Sequence, residues 1–440
     1  MKSMKFIFDD DDDEWADEEE EEHEPEAADD GENVAEISIE VLLDQLTYEG
    51  GSAGVGSDLA SICRRIASPF PAEEGVDCAV ANIVHLRRTN VLVSNHTGTM
   101  AQCRGPAGER LREAGAVDAL LLALFRLLVG GPACSCHGVS LPDVVRGDDR
   151  PNRAAAYSSL QDTVAGVYRD RLGCELPSGD VLLRALQNSA LDLATSALGG
   201  VRDLACGSAG NRAAILQWRP PDGPGGVRNG AELLGAYIRR YHGIDWRDIV
   251  LGLRFEDEDE SVKGASYTKR GVKELRLLTN TLGCIRNSSH STSDLCEAFY
   301  SFGLVDLLTW RLIGNVGKRA IGRLPRLPDA SSPWREACFR CACALINISE
   351  KNECTAKKVG TNRELTLLLI ESWGGVNMND IRATKRGLPP LHLGLVAILN
   401  AARDEAPEGD VDDVVHYVLE REKMRKGVAR ANNLIQRRSR

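Results

Sequence analysis

Aromatic residues make up only 5% of the 440-residue chain, and Met is scarcer still, with 5 copies. So few rings disfavour a sheet-dominated fold, because strands are enriched in aromatic and β-branched side chains. No apolar run approaches the length of about 20 residues that a bilayer-spanning helix needs. Phe6-Ile7-Phe8 is too short for the apolar core of a secretory leader. No Gly-rich loop ends in Gly-Lys-Ser or Gly-Lys-Thr, and the stretch from Gly51 to Ser57 lacks the lysine that would reach a bound phosphate. There is no His-Glu-x-x-His pair and no Gly-x-Ser-x-Gly elbow. Cys134-Ser135-Cys136-His137 sets soft ligands too close together for one tetrahedral zinc. Cys338 and Cys341 share a helix face, where packing of small residues explains them. These absences give no ground for an enzyme. The expectation is no catalytic residue, no metal and no cofactor.

Basic residues are missing from one place in particular. From Asp9 to Asp30, 16 of 22 residues are acidic and none is Lys or Arg. Such a stretch cannot bury enough apolar surface to order itself, so residues 1–35 are expected to form a disordered acidic tail. From Gly31 onward, 51 basic residues face 49 acidic ones. The net charge of −12 therefore belongs to the tail, and the body is close to neutral. That balance opposes broad attraction to a phosphate backbone, so no nucleic-acid partner is expected. The 13 cysteines follow no disulfide-like pattern. They suit small core residues of a reduced cytoplasmic or nuclear protein with no membrane contact.

What is present is Leu, Ala and Val in helical spacing, and repetition. Leu198-Gly199-Gly200-Val201-Arg202-Asp203 returns 84 positions later as Leu282-Gly283-Cys284-Ile285-Arg286-Asn287. This is two units of about 42 residues, the period of helical repeat arrays. A second pair matches Ala114-Gly115-Ala116-Val117-Asp118-Ala119-Leu120 with Phe302-Gly303-Leu304-Val305-Asp306-Leu307-Leu308. Glycine at the same place in both predicts a left-handed turn between two short helices. The remaining pattern predicts helices over 35–48, 59–89 with breaks at Pro69 and Pro71, 154–172, 181–205, 231–253, 272–287, 352–359, 365–373, 391–402 and 411–440. Another helix is expected from the cap signal Ser332-Pro333 to Ile348. Long loops are expected at 90–106, 130–152, 219–230, 255–261, 314–330 and 374–390.

Several of these helices end in, or contain, a short motif centred on Asn or Asp: Ala81-Asn82-Ile83, Arg202-Asp203-Leu204, Arg286-Asn287-Ser288 and Ile346-Asn347-Ile348, with Leu399-Asn400-Ala401 a weaker copy. With the order of short helix, Gly turn, second helix and long third helix, residues 36 to 405 resemble the armadillo repeat family. HEAT-type solenoids are the second choice. The resemblance implies an all-α, right-handed superhelical solenoid of six to eight repeats over 36–410, with a terminal helix and basic end over 411–440. In that family the third helices line a concave groove, and their Asn side chains hold the backbone of an extended partner. Asn82, Asn287 and Asn347 are the candidates, and Asp203 takes the equivalent place although it accepts and cannot donate. The plain alternative for each is a helix-end residue satisfying backbone groups. Nuclear-import adaptors of the family carry Trp one helical turn earlier. Those places here are Cys78, Gly199, Gly283 and Cys343, so lysine-rich import signals are not the expected ligand. Arg202, Arg286 and His290 instead suggest a mildly basic groove and an acidic partner segment, with the acidic leader a candidate to occupy it intramolecularly. The expected function is a protein-binding scaffold or adaptor. The alternative is the regulatory subunit of a kinase, phosphatase or ubiquitin-ligase complex; more distant is an enzyme with its site in the insertion loops.

Overall fold

The helical spacing of apolar residues is realised throughout the computed structural model, which describes residues 59–68, 76–101, 106–130, 179–206, 208–220, 227–251, 268–290, 292–313, 328, 332–374, 392–405 and 418. The helices expected at 35–48 and 154–172, most of 411–440, the acidic leader and most of the long loops lie outside the described residues.

Among the described residues every regular element is helical. In chain order they are α1 Leu59–Ile66, α2 Val76–Ala101, α3 Pro106–Glu113, α4 Ala116–Phe125 with a π-helical turn over Arg126–Gly130, and α5 Gly179–Ala205. Then come α6 Ala209–Gln217, α7 Gly230–Arg239, α8 Trp246–Leu251 and α9 Lys269–Ser289. The last are α10 Ser293–Ser301, α11 Leu304–Ile313, α12 Arg335–Lys351, α13 Glu353–Gly360, α14 Arg363–Gly374 and α15 Leu393–Glu405.

The order of packing follows the order of the chain. Helix α2 packs on α5, α5 on α9, α9 on α12, and α12 on α15. The short helices between them fill the other side: α4 rests on α5, α7 and α8 on α9, α10 and α11 on α12, α13 and α14 on α15. Helix α4 is apolar apart from the exposed Asp118, as a largely enclosed helix must be, with Val117, Leu120, Leu121, Leu124 and Phe125 buried. Short polar side chains start many of the helices. Ser208, Asn229, Thr268, Asn352 and Asn362 each accept a backbone N–H from the first turn of the helix that follows.

The two glycine turns are as the repeat predicts. Gly115 and Gly303 have φ of 85° and 79°, a conformation that costs other residues about 1–2 kcal/mol. A third, Gly243 at φ 83°, divides the stretch 231–253 into α7 and α8 instead of one irregular helix. The expected loop at 90–106 is largely helix instead, because α2 runs on to Ala101. Leu86, Thr89 and Val93 are buried, and Ser94 Oγ lies 3.2 Å from Ser196 Oγ on α5. The neighbouring helix thus overrides a polar, Gly-bearing local sequence. Ser332 and Pro333 form the turn before α12 rather than its cap, and the helix begins at Arg335.

A buried polar cluster ties the short helices to the long ones. Glu274 on α9 is fully buried, receives Arg240 Nη2 at 2.6 Å, and accepts the Tyr241 hydroxyl on its other oxygen at 2.6 Å. Arg270 Nη2 approaches the same carboxylate at 3.7 Å. Burial first, and then the Glu274 charge, push the Tyr241 phenol well above its usual range, so it stays a donor. Glu274→Gln should therefore lower stability by about 3–5 kcal/mol in chemical denaturation, since it leaves a buried guanidinium without its counter-charge.

Candidate functional site

Helices α5, α9 and α12 each leave one side outside the core. On α9 that side carries Val272, Arg276, Thr279, Asn280, Arg286, Asn287 and His290, at the three- and four-residue steps that align side chains along a helix. On α5 it carries Asp192, Thr195, Ser196, Arg202 and Asp203, and on α12 Glu336, Phe339, Cys343, Glu350 and Lys351. The 84-residue repeat is visible as register. Backbone-directed bonds join α5 and α9 at separations of 85 and 86: Asn280 Nδ2 donates to Thr195 O at 3.0 Å, Asn287 Nδ2 to Arg202 O at 3.0 Å, and Cys284 Sγ to Leu198 O at 2.9 Å.

Six of the seven residues singled out from sequence come together. Arg202 and Asp203 lie near the end of α5, Arg286, Asn287 and His290 at the end of α9, and Asn347 in the last turns of α12. Asn347 Nδ2 donates to Arg286 O at 2.9 Å, repeating the bond that Asn287 makes one helix earlier. One N–H of each amide is therefore committed to the helix before it, the structural role weighed above. Asn82 stands apart. It lies near the start of α2 and is 1% exposed. Since Arg87 and Ser94 of α2 meet Ser189 and Ser196 of α5 at a separation of 102, Asn82 is far out of line with Asp203.

Gly283 explains the missing Trp in physical terms. A Cβ at this position would sit 2.8 Å from Arg340 Nη1 and 2.9 Å from Arg202 Cδ. Two arginines, one from each flanking helix, cover the glycine, and a larger side chain there would have to displace them.

The charges on these three surfaces nearly cancel. Asp192 pairs with Lys273 at 2.9 Å and Asp203 with Arg202 at 2.8 Å. Glu336 pairs with Arg340, and Glu350 with Lys351 at 2.7 Å. Every carboxylate on the three surfaces is thereby matched. Arg276 and Arg286 remain, and neither guanidinium has a hydrogen-bond or ion-pair partner among the described residues. The reading from sequence found Arg286 but missed Arg276, Lys273 and Arg340. Stepping back from Arg286 in helical turns along 272–287 would have reached Arg276.

Beside them sits a histidine pair. His392 Nε2 lies 3.4 Å from Glu350 Oε2. Burial holds His392 below the usual histidine range, opposed by Glu350 and reinforced by His290 and Lys351. Partial desolvation and the nearby Arg212, Lys351 and Arg286 do the same to His290, again against Glu350. On α2, burial with Arg126 and Arg88 lowers His85.

Among the described residues no group of His, Cys, Asp and Glu is placed to hold a metal, and no helix is long and apolar enough to cross a membrane. Burial pushes Cys296 up to about 12 and Cys343 up to about 11, away from thiolate reactivity. A cleft of about 340 Å³ lined by Arg219, Arg228, Asn229, Glu232, Ala298 and Ser301 shares no residue with these surfaces, and its Arg228 is held by Glu232 at 2.6 Å. Comparison with protein-family models, curated proteins and solved structures finds no match.

Two expectations follow. Asn287→Ala and Asn347→Ala should each destabilise the fold by about 0.5–1.5 kcal/mol in urea titrations, because each removes a hydrogen bond between consecutive long helices while the carbonyl keeps a second donor, Cys206 N–H or the Ser289 hydroxyl. Acid should also destabilise. A histidine held below its unfolded value of about 6.5 binds protons more readily in the unfolded chain, so stability is full above that pH and falls as pH drops beneath it. Melting curves at pH 7.5 and 5.5 check this, and His85→Gln with His392→Gln should flatten the difference.

Proposed function

We propose that the chain is an armadillo-like α-solenoid that acts as a protein-binding scaffold, holding a segment of a partner polypeptide across the outward surfaces of α5, α9 and α12. One observation carries this reading: consecutive long helices present their outward residues in register, and all four carboxylates there are matched while Arg276 and Arg286 are not. A row of repeated surfaces on a rigid stack gives a long, preorganised contact, which lowers the ordering cost of association. The partner segment is acidic, since unmatched guanidiniums favour carboxylates and form paired hydrogen bonds with them.

Arg276→Glu with Arg286→Glu tests the proposal. Arg276 is exposed and Arg286 half-buried, and neither makes a hydrogen bond or ion pair among the described residues, so the helical circular dichroism and melting point should change little. Affinity capture from cell extract should lose the proteins that the unaltered chain retains. An unchanged set of captured proteins would remove these surfaces from the account.

A further inference from the structure

Resting on that binding reading, we infer that the chain's own segment Asp9–Asp30 occupies the α5–α9–α12 surface when no partner is present. Three observations on one molecule lead there. The surface has two guanidiniums, Arg276 and Arg286, without partners among the described residues, and its remaining cations are already matched. The segment concentrates acid as no other part of the chain does, with 16 carboxylates in 22 residues and no Lys or Arg to neutralise them. The two are also within reach. Residues 31–58 separate Asp30 from Leu59, a tether that spans up to roughly 90 Å when extended. Helix α1 packs on α2, α2 on α5, and α5 on α9, so at about 8–10 Å per helix contact the target lies about 30 Å away.

Tethering raises the local concentration of the segment to the order of 1 mM. A weak electrostatic contact is then largely formed, and an acidic partner must displace it. Recognition needs no defined sequence in the segment, since dense carboxylates present many equivalent ways to meet two arginines.

The test uses the full chain and a fluorescent synthetic peptide of residues 9–30 as probe. Anisotropy at low salt compares the unaltered chain with a full-length variant whose Asp and Glu between 9 and 30 are replaced by Asn and Gln. The neutralised variant should bind the peptide about tenfold more tightly or better, because its surface is free. Arg276→Glu with Arg286→Glu in that variant should abolish binding, and added salt should weaken it. The ratio between the two chains should hold on dilution. Equal affinity of the two chains overturns the occupancy while leaving the acid-binding surface intact. A ratio that collapses on dilution overturns it in favour of a second copy. No binding to either chain overturns it as well, and the capture experiment above then judges the partner reading separately.

Discussion

Close approach of consecutive long helices is the constraint on which the rest of the structure depends. Gly199, Gly200, Gly283 and Cys284 are all buried at or beside the contact between α5 and α9, and Gly394 lets α15 settle against the Ile346 carbonyl of α12. Backbones this close bring main-chain carbonyls of one helix within reach of short polar side chains of the next. Between consecutive long helices the donor comes from the later one. Cys284, Asn280 and Asn287 of α9 reach carbonyls of α5, and Asn347 of α12 reaches one of α9. Small side chains admit the neighbour, and short polar ones bond across the seam to its backbone.

The same contact determines the outer electrostatics. With no side chain at Gly283, Arg202 and Arg340 lean inward from both flanking helices, each bringing its own carboxylate partner, Asp203 and Glu336. Lys273 spans to Asp192 across the α5–α9 seam. The more exposed of these pairs, Lys273 with Asp192, contributes little stability, about 0–1 kcal/mol. Their consequence is for recognition, because they use up the local anions and leave Arg276 and Arg286 as the surplus.

On the opposite side, directional polar contacts hold the short helices against the long ones. Glu274 collects Arg240 and the Tyr241 hydroxyl from the end of α7. Arg311 of α11 lies 4.9 Å from the ring centres of both Trp246 and Trp310, and its Nη1 donates to Ile244 O at 2.7 Å. Trp246 returns a bond from Nε1 to Arg311 O at 3.1 Å. Guanidinium–indole stacking is geometrically selective, so it orients α11 against the α7–α8 turn more sharply than apolar packing alone.

The sequence alone established the helical class, the glycine turns at 115 and 303, and the alignment of residue 198 with residue 282. All three follow from local rules: apolar spacing, the freedom of a residue without Cβ, and repetition of the same unit. It also brought Arg202, Asp203, Arg286, Asn287, His290 and Asn347 to one region, because residues at equivalent places in stacked repeats become neighbours. Only the tertiary structure decided what those residues do. The Asn amides turned out to serve the seams between helices, Asn82 fell out of line because α2 outlasts its polar sequence, and Glu274 became the buried centre of a charge cluster. Which neighbour a side chain meets across a helix contact, as Lys273 meets Asp192 and Asn347 the Arg286 carbonyl, is likewise decided there. Those neighbours lie 60 to 100 residues away, and no local pattern along one helix carries information about a partner supplied by another.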